Sequence, residues 1–159
     1  MHKTDDTDTI AIVSNSVGSI TTDVGNGGMG NKVVKKRLAL FASGRGSNGE
    51  ALYKAMCDDY INGTFVVIIT DHHDAGIVRR ADGWGIPIVV IERSDYASKS
   101  DFEAAQLEAL APYGVDGIVL AGYMRILGCQ LIDSYEHRIL NIHPALLPSF
   151  LGLHGHQQA

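Results

Sequence analysis

From residue 37 onward, the chain alternates between short apolar runs and longer segments in which apolar and polar positions are mixed. Continuous apolar runs are typical of strands buried on both faces of a parallel sheet, whereas half-exposed strands alternate. Five runs are therefore predicted to be strands: residues 38–42, 65–70, 86–91, 117–121 and 138–142. The mixed segments predict helices over residues 47–61, 76–84, 100–111 and 127–135. Strands that alternate with helices predict an α/β fold with a doubly wound, mainly parallel sheet.

The first 36 residues follow a different pattern, because they are rich in Thr, Asp, Ser, Asn and Gly. The glycine-rich stretch at residues 25–30 favours a flexible linker over packed structure. Residues 1–36 are therefore expected to be a flexible N-terminal extension, and residues 37–159 to be the α/β domain. One apolar run, at residues 10–13, is expected to form a strand only where it meets a sheet edge.

Composition narrows the class of protein. The 159 residues include 45% hydrophobic and 19% charged residues, which is ordinary for a soluble globular domain. A net charge of −5 argues against a nucleic-acid partner, and no apolar run reaches membrane-spanning length. Cys57 and Cys129 lie far apart in sequence and are expected to be free thiols, which together with the lack of a signal peptide predicts a cytoplasmic protein.

The loop Ser43-Gly44-Arg45-Gly46-Ser47-Asn48-Gly49 follows the first predicted strand and has two interpretations. The spacing Gly44-x-Gly46-x-x-Gly49, with Asp71 at the end of the next strand, is that of a dinucleotide site and would suit an NAD(P)-dependent oxidoreductase. The same loop could hold a phosphate monoester, because Gly46, Ser47 and Asn48 lie at a helix N-terminus that favours an anion.

The segment Asn141-Ile142-His143-Pro144 carries the candidate chemistry. In an extended strand, Asn141 and His143 point to the same side, and Pro144 keeps His143 extended. An amide donor beside an imidazole suits the oxyanion that develops during acyl transfer. By contrast, no metal site is expected, because the histidines at residues 72–73 and at 154 and 156 lack a closed set of ligands.

The loop after the fourth predicted strand, Gly122-Tyr123-Met124-Arg125-Ile126-Leu127, offers an apolar wall for a flat ring. In a doubly wound sheet, loops at the carboxyl ends of the strands converge on one crevice. A crevice with a phosphate cradle, an apolar slot and the pair Asn141 and His143 favours group transfer over hydride transfer.

Taken together, the loop at residues 43–48, the segment at 122–127 and the element Asn141-Ile142-His143-Pro144-Ala145-Leu146-Leu147-Pro148 resemble the phosphoribosylglycinamide formyltransferase family, the folate-dependent glycinamide ribonucleotide transformylases, which have a Rossmann-like fold. The resemblance implies transfer of a formyl group from 10-formyltetrahydrofolate to the amine of 5-phosphoribosylglycinamide in de novo purine biosynthesis. It implies that Asn141 and His143 are catalytic and that Gly46, Ser47 and Asn48 hold the substrate phosphate. The implied folate-binding residues are Lys99, Met124, Arg125, Ile126, Leu127 and Asn141.

The resemblance also implies strands beyond the position of Ala159 and an aspartate that tunes the catalytic histidine. The chain is therefore expected to be a C-terminally truncated form of the fold, with impaired transfer. A non-catalytic fragment that binds phosphate or folate is the other interpretation. An uncovered sheet edge would favour self-association.

Overall fold

The computed structural model describes residues 34–142 with their side chains and the backbone of residues 11–13. Its sheet has six strands: β1 Ala11–Val13, β2 Lys36–Phe41, β3 Gly63–Thr70, β4 Ile88–Val90, β5 Gly117–Ala121 and β6 Ile139–Ile142. The helices are α1 Ser47–Cys57, α2 Gly76–Trp84, α3 Lys99–Leu110 and α4 Cys129–Ser134, with 3₁₀ turns at Arg93–Asp95 and Ala111–Tyr113.

The strand order across the sheet is β1-β4-β3-β2-β5-β6. Strands β2 to β6 are parallel to their neighbours, which confirms the predicted doubly wound sheet. β1 adds to β4 in the antiparallel sense, so the apolar run near the N-terminus forms its strand at a sheet edge as expected. The chain leaves β2 toward β3 on one side and returns to β5 on the other, which places the topological switch point between β2 and β5.

Each face of the sheet is covered by a pair of helices. On one face, Leu40 and Ile68 pack with Met56 of α1 and Ile77 of α2. On the other face, the strand residues Phe41 and Ile69 pack with Phe102 and Leu110 of α3 and with Leu131 of α4. The strands are buried from both sides, which accounts for their continuous apolar sequences.

α1 and β4 are shorter than their sequence patterns predict. α1 stops at Cys57 rather than at residue 61, because Asp59 adopts a positive φ of 59° and the chain turns back. There the Tyr60 and Ile61 N–H groups both donate to the Ala55 carbonyl, which closes the helix end. β4 covers only Ile88–Val90 of the predicted 86–91, because Pro87, which has no N–H, precedes it.

Cys57 and Cys129 are both exposed free thiols, as expected. Within residues 11–13 and 34–142, no helix combines the length and the apolar character needed to cross a membrane.

Leu40 and Leu140 allow the buried core to be tested with matched substitutions, because both are leucines in strands of the same sheet. Leu40 is fully buried and Leu140 is 61% exposed. We expect Leu40→Ala to lower the free energy of unfolding by about 2–5 kcal/mol, whereas Leu140→Ala should cost about 0.5 kcal/mol. Urea denaturation followed by circular dichroism at low protein concentration measures both. Equal losses would contradict the described packing of β2.

Candidate functional site

The loops that follow β2 and β5 are bonded to each other at the switch point. The Ser43 N–H donates to the Gly122 carbonyl at 3.2 Å. The Met124 N–H donates to the Ser43 hydroxyl at 2.9 Å, and Ser43 is buried. Gly122 has a φ of 74°, a left-handed conformation that glycine adopts without strain, so the chain can turn sharply here. The predicted convergence of these two loops is therefore present.

Gly46 is the N-cap of α1 and the first of the three candidate phosphate-binding residues. Its φ is 76°, and a Cβ at this position would lie 2.6 Å from Cδ1 of Ile77 in α2. Only glycine satisfies both constraints. Because glycine offers no capping side chain, the first N–H groups of α1 have no side-chain acceptor from that residue. Ser47 and Asn48 are exposed in the first turn, where an anion is electrostatically favoured.

The start of α2 supports this loop from behind. The Ile77 N–H donates to the Gly44 carbonyl at 3.2 Å. A Cβ on Gly76 would lie 3.0 Å from Cα of Arg45, so the two backbones are in close contact. Arg80 donates from Nε to the Arg45 carbonyl at 2.8 Å. The glycine loop is thus held by backbone contacts on the side away from the crevice.

Asp71, the residue on which the dinucleotide interpretation depends, is occupied by another contact. Its side chain is buried, and Oδ2 accepts a hydrogen bond from Arg125 Nε at 2.7 Å. A ribose-binding carboxylate must be open to the ligand. Asp71 instead fixes Arg125, a residue of the candidate folate segment, so the structure gives no support to the oxidoreductase alternative.

Tyr123, in the same loop, is fixed by contacts of its side chain with the core. Its ring packs edge-on against Phe41, with centroids 5.3 Å apart. Its hydroxyl accepts a hydrogen bond from Nε2 of the buried Gln106 at 2.6 Å. Burial, and secondarily the nearby Asp71 carboxylate, raise the pKa of Tyr123 well above its ordinary value.

The predicted folate segment lies largely at the surface. Met124 is 65% exposed and Ile126 is 87% exposed, whereas Leu127 is half-buried. Large exposed apolar side chains beside a polar crevice are typical of a ligand wall. Lys99 lies next to this segment, and its ammonium donates to the Leu127 carbonyl at 3.4 Å.

Asn141 lies near the end of β6 and is exposed. It pairs in register with Leu120 of β5, one residue before the strand ends at Ala121. This register brings Asn141 to the same edge of the sheet as the loops after β2 and β5. His143 and the residues that follow it lie outside the described residues.

Three contributors to the site were not singled out by the sequence pattern as functional residues. They are Ser43, which links the two loops, and the pair Glu103 and Gly128, which meet behind the folate segment. The only signal for Ser43 and Gly128 is their position beside the recognised motifs. The sequence carries no signal for Glu103, because its contact with Gly128 depends on how α3 packs.

Two histidines near the site each lie close to one acidic side chain. His72 Nε2 lies 3.6 Å from Asp71, and His73 Nε2 lies 3.8 Å from Glu92. Among the residues whose positions the structure describes, no group of three or more His, Cys, Asp or Glu side chains could hold a metal ion.

The chain belongs to the formyl transferase family, whose sequence profile matches residues 36–159. Phosphoribosylglycinamide formyltransferase of Bacillus subtilis (strain 168) is 39% identical over 124 residues, which cover 78% of this chain and 64% of that protein. The crystal structure of phosphoribosylglycinamide formyltransferase from Brucella melitensis has a TM-score of 0.75 and 46% identity, covering 79% of this chain and 65% of that one. A formyltetrahydrofolate deformylase from Pseudomonas syringae pv. tomato str. DC3000 is 30% identical, with a TM-score of 0.69, covering 79% and 41%.

These similarities confirm the family expected from the three motifs and its Rossmann-like fold. The chain spans 64% of the length of the Bacillus subtilis relative.

The partly buried Tyr123 predicts how stability changes at alkaline pH. Because its pKa is raised in the folded state, folding retains a proton that the unfolded chain loses near pH 10. Stability should therefore fall as the pH rises above about 10, and Tyr123→Phe should flatten this fall. At neutral pH, the free energy of unfolding of the variant should be lower by about 1–3 kcal/mol, because the Gln106 side-chain amide loses its hydrogen-bond acceptor.

Urea unfolding from neutral to alkaline pH measures both effects. Tyr60→Phe is the matched control, because Tyr60 is 85% exposed. Burial also raises the pKa values of Tyr53 and Tyr135, so the comparison is between variants rather than with a flat baseline. A wild-type alkaline profile in Tyr123→Phe would show that its hydroxyl is not buried as described.

Proposed function

We propose that the chain transfers a formyl group from 10-formyltetrahydrofolate to the amine of 5-phosphoribosylglycinamide, a step of de novo purine biosynthesis. One observation carries the proposal: the loops after β2 and β5 are bonded through Ser43, and Asn141 of β6 reaches the same edge of the sheet. The relatives named above supply the substrate class, because two of them are called phosphoribosylglycinamide formyltransferases.

The ribonucleotide phosphate would bind at the N-terminus of α1. At Gly46 the backbone lies close against Ile77, and a side chain at this position would collide with it. The phosphate would therefore contact the backbone of this residue. Ser47 and Asn48 are exposed and add side-chain donors to the N–H groups of the first turn. A compact dianion suits this arrangement better than a pyrophosphate, which needs a glycine-lined path.

The folate would lie against the segment Met124–Leu127. Its exposed Met124 and Ile126 side chains offer apolar contact to a flat pterin ring. Arg125 is held by Asp71, and Lys99 borders the segment at Leu127. The name of the Pseudomonas relative, a formyltetrahydrofolate deformylase, supports a formylated folate as the donor.

In the proposed reaction, the substrate amine attacks the formyl carbon and forms a new N–C bond. The carbonyl oxygen becomes an oxyanion, which the Asn141 amide stabilises by donating a hydrogen bond. The motif assigns His143 the second donor, which is stronger when the imidazole is protonated. Collapse breaks the bond from carbon to N10 of the folate, and the proton lost by the amine ends on N10.

Residues 37–159 would carry this activity, and residues 1–36 would form an N-terminal extension, of which residues 11–13 add β1 to the sheet edge and Lys36 begins both β2 and the family match. Both substrates are small and soluble, which suits the proposed cytoplasmic location. No other cofactor or metal is required, because the formyl donor is itself a substrate.

Asn48 and Asn141 give the sharpest test, because the same substitution should have different consequences at the two positions. We expect Asn141→Ala to lower kcat by about 10²–10³, since an oxyanion donor acts in the transition state. Asn48→Ala should instead raise the KM for the ribonucleotide by roughly tenfold, the loss of one hydrogen bond to a charged group, and leave the folate KM unchanged. Steady-state formyl transfer with each substrate varied measures both.

Asn62→Ala is the matched control, because Asn62 is exposed and precedes β3 at the opposite end of the sheet. Identical effects on both KM values in Asn48→Ala would refute the phosphate assignment. Binding of both substrates by the unaltered chain without any turnover would favour the non-catalytic interpretation.

We also propose that two copies associate through the edge at β6. Among the described strands, β6 pairs only with β5, so none of them pairs with its other side. A groove of about 440 Å³ beside it contains the exposed Leu140. Its lining carries charges of both signs, from Arg138 and Asp116. A surface with both signs can be complementary to a second copy of itself.

Leu140→Asp should therefore abolish this association, because it places a charge in the apolar part of the contact. Sedimentation velocity over a range of concentrations measures the dimer fraction. Val34→Asp provides the same chemical change at an apolar residue that is 84% exposed and does not line the groove. A monomeric unaltered chain at all concentrations would exclude the association.

A further inference from the structure

We infer that Glu103 is a positioning residue for formyl-donor binding, acting through Gly128 to hold the end of the segment Met124–Leu127. The inference rests on the proposed function for the identity of the ligand. The mechanical part, a fit between a buried carboxylate and a glycine, rests on the structure alone.

Gly128 is required by space and not by backbone conformation. Its φ of −104° and ψ of −177° describe an extended backbone that any residue adopts. A Cβ at this position would nevertheless overlap the Glu103 carboxylate, and the three nearest atoms all belong to Glu103. A side chain at position 128 would therefore displace the carboxylate of the buried Glu103.

Glu103 is an unusual residue to find at this contact. It lies in α3 and is 4% exposed, and its Oε1 has no hydrogen-bond partner among residues 34–142. A buried carboxylate is costly unless a positive charge or donors compensate it. The ammonium of Lys99, one turn earlier, lies 3.8 Å from Oε1. The same ammonium donates to the Leu127 carbonyl at 3.4 Å.

The start of α4 supplies a second source of compensation. Gly128 is the N-cap of α4 and has no side chain with which to cap it. The first N–H groups of a helix lack acceptors and carry partial positive charge. The carboxylate that lies against Gly128 places a negative charge at this terminus. Glu103 thus places at the start of α4 a charge of the sign that the first N–H groups of a helix favour.

This contact fixes one end of the segment, and Ser43 fixes the other. The Met124 N–H is bonded to the Ser43 hydroxyl, and the Leu127 carbonyl is bonded to Lys99. Between these two anchors, Met124 and Ile126 are exposed. The orientation of the proposed folate wall therefore depends on both anchors, although Glu103 itself does not touch the ligand in this arrangement.

A double-mutant cycle tests the fit. Gly128→Ala should push the segment away, raising the Kd for tetrahydrofolate by tenfold or more while changing the ribonucleotide KM by less than about twofold. Glu103→Ala should restore much of the affinity when combined with Gly128→Ala, because it empties the space that the new methyl group needs. Gly83→Ala is the matched control, since a Cβ on Gly83 would meet nothing within 4 Å.

Glu103→Gln separates charge from shape, because the amide keeps the size of the carboxylate. We expect it to fold and to raise the Kd for tetrahydrofolate about five- to tenfold, since the charge at the α4 terminus is lost. Hydrogen exchange of the peptide that covers residues 124–128 gives a readout that needs no ligand. Exchange should be faster in Gly128→Ala and in Glu103→Gln, and slower again in the double variant.

The outcomes distinguish the inference from the proposed function. Absence of formyl transfer by the unaltered chain would refute the function, while exchange at residues 124–128 would still test the contact. Exchange and affinity that stay unchanged in Gly128→Ala and Glu103→Gln would overturn the inference. A double variant no better than Gly128→Ala alone would also overturn it. If Gly128→Ala does not fold, recovery of folding in the double variant supports the contact, and no recovery refutes it.

Discussion

The hydrogen bond from the Met124 N–H to the Ser43 hydroxyl is the contact on which the candidate site depends. It joins two loops whose residues are 81 positions apart in sequence. At the switch point of a doubly wound sheet, the chain leaves neighbouring strands toward opposite faces, which opens a crevice between the loops. The Ser43 hydroxyl spans that crevice at its base. The distance between the glycine loop and the segment Met124–Leu127 is therefore set by this side-chain bond together with the backbone bond from the Ser43 N–H to the Gly122 carbonyl.

The exposed ligand wall is held from beneath by buried polar groups. Asp71 and Glu103 are both almost fully buried, and each contacts a cation: Arg125 for Asp71 and Lys99 for Glu103. Each also has one oxygen with no hydrogen-bond partner within residues 34–142. A buried carboxylate costs stability unless a cation or hydrogen-bond donors compensate it. Here both lie under the same segment, which has few apolar contacts of its own.

The sequence predicted the sheet because five parallel strands bury both faces and so lack polar positions. The end of α1 was not predicted, because it depends on the positive φ of Asp59, which the sequence pattern does not show. The start of α1 at Gly46 was predicted, because the glycine motif places a glycine where a helix begins. The roles of Glu103 and Gly128 could not be predicted, since their contact joins two helices that the sequence does not show to be adjacent. Lys99 lies beside the predicted folate segment, where its described contact is with the Leu127 carbonyl.

The two edges of the sheet differ in a way that limits the size of any assembly. One edge ends in β1, an antiparallel strand of three residues, and the other in β6, a parallel strand of four. An unlimited fibre would need β6 of one copy to pair with β1 of the next, and a three-residue strand gives that junction few hydrogen bonds. Pairing of β6 with β6 is symmetric and uses up both open edges at once. For the proposed association through β6, the described strands therefore favour a closed pair over an open-ended filament.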